Sequence, residues 1–476
     1  MKKAKKNKYV KYRRMILPKI LVDVLFLKLR TINSEKLNPV KLINIGISMF
    51  HEILSKSPIY KVDSNEDFII PYYSKVLQQR YGKDYNKYLR LLSVSGLINR
   101  TLYYKEGECM NYSLLDFNNY KNKILLFENI NRDNGITVDI YQDIISPYCY
   151  ENNIEITPIP LTNKGIHDDL KNRIFLTEWY ELKISIDKNN KKYLTKDFDE
   201  DAKNINNSNS HIKQMGSYYK KNLEIRYEDA IEFTLNNFMN EQNNASSDKD
   251  INRAYNRFVS RIISLQALDN GDNKSLRFRR NKTNARLDTN LTNLASELRQ
   301  FIVGYEDMAY LDLSNSQPVF FNIMLNKHLE SASESLKNEI TRYRESTLSG
   351  TWYEELAEIY GITREEAKKR WMEIAYSKNK SYKNNKKRFK IVFPEISAII
   401  EKYKENDHAN FAIKLQKIES AVFIDKISKK LVDEGIIPFT IHDAILVGKE
   451  NKEKALSIMK EILTNELGGC PLIKVE

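Results

Sequence analysis

The chain reads as an α/β protein of the α+β kind, on three observations. Residues 226–240 and 250–268 carry apolar side chains at helical spacing and predict two amphipathic helices separated by a Ser/Asn/Asp loop. Residues 308–313, Met-Ala-Tyr-Leu-Asp-Leu, form an apolar run of strand length, and residues 438–447 form another. The second run lies between helical patterns near 411–434 and 452–466, so strands and helices alternate towards the C-terminus.

The elements ahead of this half follow in order. The first 130 residues read as short helices and then a hairpin. Residues 84–93 have helical spacing, and from Gly96 the text Leu-Ile-Asn-Arg-Thr-Leu-Tyr-Tyr alternates like a strand. Lys105-Glu-Gly-Glu then makes a turn, and Met110-Asn-Tyr-Ser-Leu-Leu returns. Helices before a basic, aromatic hairpin fit a winged helix, a common duplex-binding module; they fit an ordinary small α/β domain equally well. Residues 131–205 mix strands and helices without a chemical signature. Within residues 194–215, Asn204, Asn206, Asn207 and Asn209 mark a polar linker.

Composition bounds the function class. With 476 residues, two or three domains are expected, and 41% hydrophobic residues suffice for a sizeable core. Lys and Arg number 76 against 63 Asp and Glu, a net charge of +13, as expected of a surface that tracks phosphates. An AT-rich genome also supplies Lys, Asn, Ile and Tyr in excess, so charge alone does not identify the partner. Cys109, Cys149 and Cys470 are far apart and in no paired spacing, which fits a reducing compartment and excludes a disulfide framework or a zinc site. The six histidines are equally scattered. Leu17 to Leu29 is apolar but is broken by Pro18, Lys19, Asp23 and Lys28, too short a run to span a bilayer. The expectation is a soluble, cytoplasmic protein with no membrane partner.

Two aspartates carry the chemistry. Asp312 interrupts one apolar strand, and Asp443 lies in the other, in Phe439-Thr-Ile-His-Asp-Ala-Ile-Leu-Val. A carboxylate in such a run is costly unless it is paired or binds a cation. Two of them on neighbouring strands would repel each other, and Mg²⁺ relieves that repulsion while orienting phosphate oxygens. Between them lies Arg364-Glu-Glu-Ala-Lys-Lys-Arg-Trp-Met-Glu-Ile-Ala-Tyr. On a helix, Arg364, Lys368, Met372 and Tyr376 fall at successive i+4 steps on one face. Two cations, an apolar side chain and an aromatic ring in that order suit a triphosphate followed by a sugar and base.

These segments resemble the family A polymerases, the group of DNA polymerase I and the single-subunit phage RNA polymerases. The resemblance spans roughly residues 280–476. Asn284-Ala-Arg-Leu-Asp-Thr-Asn-Leu-Thr-Asn-Leu, followed by Glu297-Leu-Arg-Gln-Phe-Ile, is similar to the stretch before the family's first catalytic strand, and Asp312-Leu-Ser-Asn-Ser-Gln to its first catalytic motif. Arg364, Lys368 and Tyr376 match the fingers helix, R-x3-K-x7-Y, and Phe389-Lys-Ile-Val-Phe-Pro resembles the segment after it. His442-Asp443 matches the H-D of the last motif, after a long helix containing Gln416. Four positions depart from the pattern of the DNA enzymes. Ser377 replaces a glycine and Ala444 a carboxylate. Gln317 stands where a glutamate blocks the ribose 2′-OH, and Met372 replaces Phe, as in the phage RNA polymerases.

The resemblance implies a right-hand fold: a helical thumb-like region at 206–280, palm at 281–330 and 406–476, and fingers at 331–405. Ahead of these lie a basic N-terminal domain at 1–130 and a mixed region with linker at 131–205. It implies that Asp312, Asp443 and the Leu313 carbonyl hold two Mg²⁺ ions, with Mn²⁺ as a substitute. Arg364 and Lys368 would bind the nucleoside triphosphate, with Met372, Tyr376 and Gln317 near its base and sugar. Arg286, Asn293, Gln416 and His442 would contact a DNA or RNA primer–template. No acidic motif of a proofreading exonuclease is evident in the first 200 residues. The expected function is therefore template-directed DNA synthesis, in a phage, plasmid or other mobile element. A primase or small RNA polymerase of the same fold is the alternative, and a non-catalytic DNA-binding replication initiator is the second.

Overall fold

Seven residues after the N-terminal basic run, Tyr12–Pro18 (β1), form a strand whose side chains are buried from Met15 to Leu17. The computed structural model describes residues 12–31, 37–56, 70–72, 74–100, 110–115, 117–152, 154–159, 179–185, 209–268 and 276–476. Lys19–Thr31 (α1) and Pro39–Lys56 (α2) follow β1, then Ile70–Tyr72 (β2), Ser74–Tyr81 (α3) and Tyr85–Val94 (α4). Asn99–Arg100 (β3), Met110–Ser113 (β4), Phe117–Asp133 (α5), Ser146–Glu151 (α6), Ile154–Ile159 (β5) and Trp179–Ser185 (β6) complete the N-terminal part. Two antiparallel sheets result, of order β1-β6-β5 and β2-β4-β3.

The apolar run at Leu17 to Leu29 belongs to the core of this part: Leu21, Val22, Val24 and Leu25 of α1 pack with Ile45, Ile47, Met49 and Phe50 of α2. Asp23, which breaks that run, is buried and accepts a hydrogen bond from Lys19 one turn earlier, 2.7 Å away. Among the described residues no helix is long and apolar enough to cross a membrane. The expectation of short helices and a hairpin missed β1, whose Tyr-Arg-Arg start hid the buried half of the strand. The hairpin is present as β3 against β4; residues 101–109, with the expected turn, lie outside the described residues.

Helices continue with Ser210–Asn222 (α7), Tyr227–Asn243 (α8) and Asp248–Leu268 (α9), the last two close to their expected spans. The expected linker needs correcting at its end: residues 194–208 lie outside the described residues, but Ser210 already opens a helix that buries Ile212, Met215 and Tyr219. That apolar i, i+3, i+7 face is masked in the sequence by the asparagines before it.

The chain forms two compact units. One comprises residues 1–198, 224–276 and 294–303; the other comprises 199–223, 277–293 and 304–476. The second, helix-rich unit is built around an antiparallel sheet. After α7 its elements are Phe278–Arg280 (β7), Leu287–Thr289 (β8), Met308–Leu313 (β9), Ser316–Asn326 (α10), Glu334–Ser349 (α11), Trp352–Tyr360 (α12), Arg364–Tyr376 (α13), Lys383–Val392 (α14) and Pro394–Tyr403 (α15). Then come Ala409–Ser420 (α16), a wider helical turn over Ala421–Ser428, Lys429–Asp433 (α17), Phe439–Ile441 (β10), Ala444–Gly448 (β11), Lys452–Leu467 (α18) and Ile473–Val475 (β12). The sheet order is β10-β11-β9-β12, which makes β9 an inner strand.

The single strand expected over 438–447 is a hairpin. Ile441 pairs with Ala444, so His442 and Asp443 form a two-residue turn, with His442 in the left-handed region at φ 53°. Such turns require positive φ at the first central position. Both arms are buried, so the apolar text on either side of the turn reads as one run.

Helices α11 to α15 pack around aromatic side chains. Trp352 and Trp371 meet edge to face at 5.3 Å, and Tyr343 lies 4.5 Å from Trp352, with Phe389 and Phe393 beside them. Edge-to-face contacts at such distances add about 0.5–1.5 kcal/mol per pair beyond area burial. Gly361, at φ 64°, ends α12, and a Thr363–Glu366 capping box starts α13. Thr363 and Glu366 satisfy each other's backbone N–H groups at 3.0 and 3.3 Å, and this fixes where the helix begins.

Candidate functional site

The register of the four-stranded sheet brings the two aspartates together. Ala444 lies opposite Asp312, and Asp443 immediately precedes it; the Asp443 carbonyl accepts a hydrogen bond from Leu313 N at 3.2 Å. Both aspartates are half-buried at the same end of adjacent strands. Just beyond β9, Asn315 takes a left-handed conformation (φ 53°) and α10 begins, carrying Gln317 in its first turn. A non-glycine residue at positive φ is strained, and Asn315 and His442 flank the aspartates on both strands.

Helix α13 buries Ala367, Trp371, Ile374 and Ala375 and leaves the other face outward. Arg364, Lys368 and Met372 line that face and are exposed, Met372 at 41%. Arg364 pairs with Glu354 at 2.7 Å, and its guanidinium lies 5.7 Å from the Tyr353 ring centre. Burial raises the Tyr353 phenol to about 12; Arg364 pulls it down and Asp443 pushes it up. Tyr353 thus feels both the basic helix and the aspartate turn.

At the end of the same stripe Tyr376 turns inward. Its hydroxyl donates to Gln317 Oε1 at 3.3 Å, and its ring is 6.5 Å from Phe411 of α16. Burial drives its pKa well up, aided by Tyr353 and Glu419 and opposed by Arg286. Gln317 Nε2 in turn donates to Glu419 Oε2. The Glu419 carboxylate, 1% exposed, also accepts from Arg286 Nε and Nη2, each at 2.7 Å. Burial pushes Glu419 up to about 7, with Asp443 acting in the same direction and Arg286 and the Gln317 amide against it. The result is a continuous chain of contacts: Arg286, Glu419, Gln317, Tyr376.

The β7–β8 hairpin is clamped to the helix that carries Glu419. Arg280 makes a bidentate pair with Asp425 at 3.1 and 2.9 Å, Asn284 donates to Gln416 at 3.2 Å, and Ser420 donates to the Ala285 carbonyl. The carbonyl belongs to a residue at φ 63°. His442 and Thr440 line a small cavity with Arg286, Glu419 and Ser420. Arg286, Gln416, Gln317, Tyr376 and His442 therefore converge. Asn293 does not join them: it is exposed, and its amide donates to the Thr289 carbonyl of its own turn at 3.3 Å.

Sequence reasoning missed Glu419 and Tyr353. The signal for Glu419 was available, since a carboxylate between Ile418 and Ala421 in an apolar helix raises the same question as Asp312 did. Tyr353 carried no signal, because its role depends on α12 packing against α13.

Among the described residues no cluster of three His, Cys, Asp or Glu side chains could hold a metal ion. A carboxylate pair nevertheless suits Mg²⁺, which takes one or two protein carboxylates and fills its octahedron with water and substrate phosphates. No family model matches the chain, and no curated protein matches it. Among solved structures it is similar to the POL domain of Pol1 from M. smegmatis in complex with DNA primer–template and dNTP, at a TM-score of 0.26 and 12% identity. That match covers 57% of this chain and 65% of the other, less than two thirds of its length.

Proposed function

We propose that the second unit is a template-directed nucleotidyl transferase of the family A type, which adds deoxynucleotides to a 3′-end. The observation that carries this reading is the placing of Asp312 and Asp443 at one end of hydrogen-bonded strands, beside a helix whose outward stripe holds Arg364, Lys368 and Met372. Asp312 and Asp443, with the Leu313 carbonyl, would hold Mg²⁺, or Mn²⁺ in its place, and the metal when bound neutralises charge developing on the phosphoryl group. Arg364 and Lys368 bind the triphosphate and hold it in line. Met372 and Tyr376 cover the base, and Gln317 stands at the sugar. Arg286, Gln416 and His442 contact the primer–template; Asn293, turned to the Thr289 carbonyl, takes no part. The setting is a replication or mobile-element enzyme with no evident proofreading exonuclease.

The primase or small RNA polymerase reading is favoured by the exposed Met372, the residue seen in the RNA-making relatives. The test is primer extension with dNTPs and NTPs offered separately on DNA and RNA templates. Wild type should extend with dNTPs on DNA. Asp312→Ala and Asp443→Ala should each lose at least about 10²-fold in rate, the scale for removing one stabiliser of transition-state charge. Circular dichroism of both variants should be unchanged. Extension by either variant near the wild-type rate would refute the assignment, and extension with NTPs alone would favour the primase reading.

A further inference from the structure

We propose that α3, its turn and α4 in the first unit form a docking surface for duplex DNA, with α4 lying in the major groove. The two helices are joined by three residues, Gly82, Lys83 and Asp84, and Gly82 sits at φ 88°. A three- or four-residue turn containing glycine between two helices is the geometry in which the second helix reads DNA. The order α2, β2, α3, α4, β3, β4, with sheet order β2-β4-β3, backs the pair with a small sheet.

The pair is rigidly held from behind. Tyr88, Leu89 and Leu92 of α4 are buried, as are Leu77 and Tyr81 of α3. Lys41 of α2 pairs with Asp84 in the turn and sits 4.7 Å over the Tyr88 ring. At the far end the Tyr120 hydroxyl donates to the Leu97 carbonyl at 2.8 Å and accepts from Leu115 N at 3.0 Å.

The outward stripe is Lys83, Asn86, Lys87, Arg90 and Val94, all exposed, Val94 at 79%. No acidic residue occurs in α4, and among the described residues Lys83, Lys87 and Arg90 make no ion pair. Cations on α9 of the same unit behave otherwise: Arg253 pairs with Asp250, and Arg257 and Arg261 with Glu241 of α8. Lys121, Lys123 and Arg132 of α5 also make no ion pair among the described residues, but that helix carries Glu128 and Asp133, whereas α4 joins unpaired cations to the absence of any acidic residue. Asn and Arg bond to base edges and phosphates, while a valine methyl suits the thymine C5-methyl. A helix about 10–12 Å across fits a major groove about 12 Å wide. A membrane surface would require an apolar face on α4, and the stripe offers one exposed apolar side chain.

The test is fluorescence anisotropy of the full chain with a blunt, mixed-sequence DNA duplex at several salt concentrations. Lys87→Ala/Arg90→Ala should weaken binding by about ten- to sixty-fold near about 0.1 M salt and lower the log–log salt slope by about 0.9–1.8, as expected for losing one to two phosphate contacts. The control is Lys121→Ala/Arg132→Ala on α5, exposed positions with the same charge change, which should bind within about twofold of wild type. Equal losses in the two variants, or none in the first, would overturn the proposal. So would equal affinity of wild type for an RNA duplex, or tighter binding to vesicles of anionic lipid. Circular dichroism of both double variants separates a binding loss from unfolding.

Discussion

Glu419→Gln tests the contact chain behind Gln317, the residue that the proposed function sets at the sugar. Glu419 accepts three hydrogen bonds, Arg286 Nε at Oε1 and Arg286 Nη2 with Gln317 Nε2 at Oε2. A glutamine has one acceptor oxygen. Placed at the Oε2 position, that oxygen keeps two donors and turns its amide NH₂ against Arg286 Nε; the reverse placing sets NH₂ against two donors. The first orientation is therefore the less costly, and one unsatisfied donor there destabilises by about 1–3 kcal/mol. The bond to Gln317 survives but loses its charge, falling from about 1.5–3 to about 0.5–1.5 kcal/mol. A loosening of about 1–1.5 kcal/mol corresponds to roughly five- to tenfold in discrimination between dNTP and NTP, at about 1.4 kcal/mol per tenfold. The assay is competition between matched dNTP and NTP at pH 8, with wild type, Glu419→Gln, Gln317→Ala and the double variant. Glu419→Gln should lose up to about tenfold, Gln317→Ala more, and the double no more than Gln317→Ala, because Glu419 acts through Gln317. An unchanged ratio in Glu419→Gln, or a double variant that multiplies the single losses, would refute the reasoning.

Two further predictions concern the same unit. Lys368→Ala should raise KM for the nucleotide or lower kcat by roughly tenfold or more, a charged hydrogen bond being worth about 1.5–3 kcal/mol, with no change in melting temperature, since Lys368 is exposed; steady-state kinetics with the melting curve checks both, and a stability loss without a kinetic one would contradict the role. The second is a pH dependence of stability. The folded chain holds the Glu419 proton more tightly than an unfolded chain, with a pKa of about 7 against the ordinary 4.5, so protonation favours the fold. That contribution is complete below pH 4.5 and is lost as pH rises through 7, on the order of 3 kcal/mol over the window. Urea unfolding at pH 5 and pH 8 should show the wild type losing more stability than Glu419→Gln; parallel behaviour would place the proton elsewhere.

Local chemistry was legible in the sequence wherever the sequence itself closes the structure. Residues 308–313 form β9 with the expected limits, because a short apolar run that follows exposed Glu306 and Asp307 and buries alternate side chains has few other conformations. Residues 364–376 form α13 over the expected span, and the i+4 stripe follows from helix geometry alone. Pairings between distant segments were not legible. Nothing local to Tyr12–Pro18 says that it pairs with Trp179–Ser185, 167 residues from Arg14 to Glu181. The hairpin at His442 was hidden because two doubly buried arms read as one strand. Asn293 shares its text with Arg286, but the turn at Leu291–Asn293 faces it away from the cluster, and no periodicity marks that rotation.

Glu419 joins two features that the sequence presents as separate. Gln317 follows Asp312 by five residues on the β9–α10 connection, whereas Arg286 belongs to a hairpin clamped at Arg280–Asp425 and Asn284–Gln416. A buried carboxylate that serves both cannot move for one partner without weakening the other. Its two Arg286 bonds are short and bidentate, one to each carboxylate oxygen, an arrangement that fixes position as well as adding strength. If Arg286 meets a primer–template, as the proposed function has it, an ill-fitting duplex that draws Arg286 aside leaves Glu419 with Gln317 alone and shifts the amide to which Tyr376 is bonded. Sugar choice and duplex fit would then be coupled through a single side chain, although Gln317 is itself neutral. A carboxylate at position 317 would not need that support, and two carboxylates facing each other there would repel, so Gln317 and Glu419 make sense as a pair.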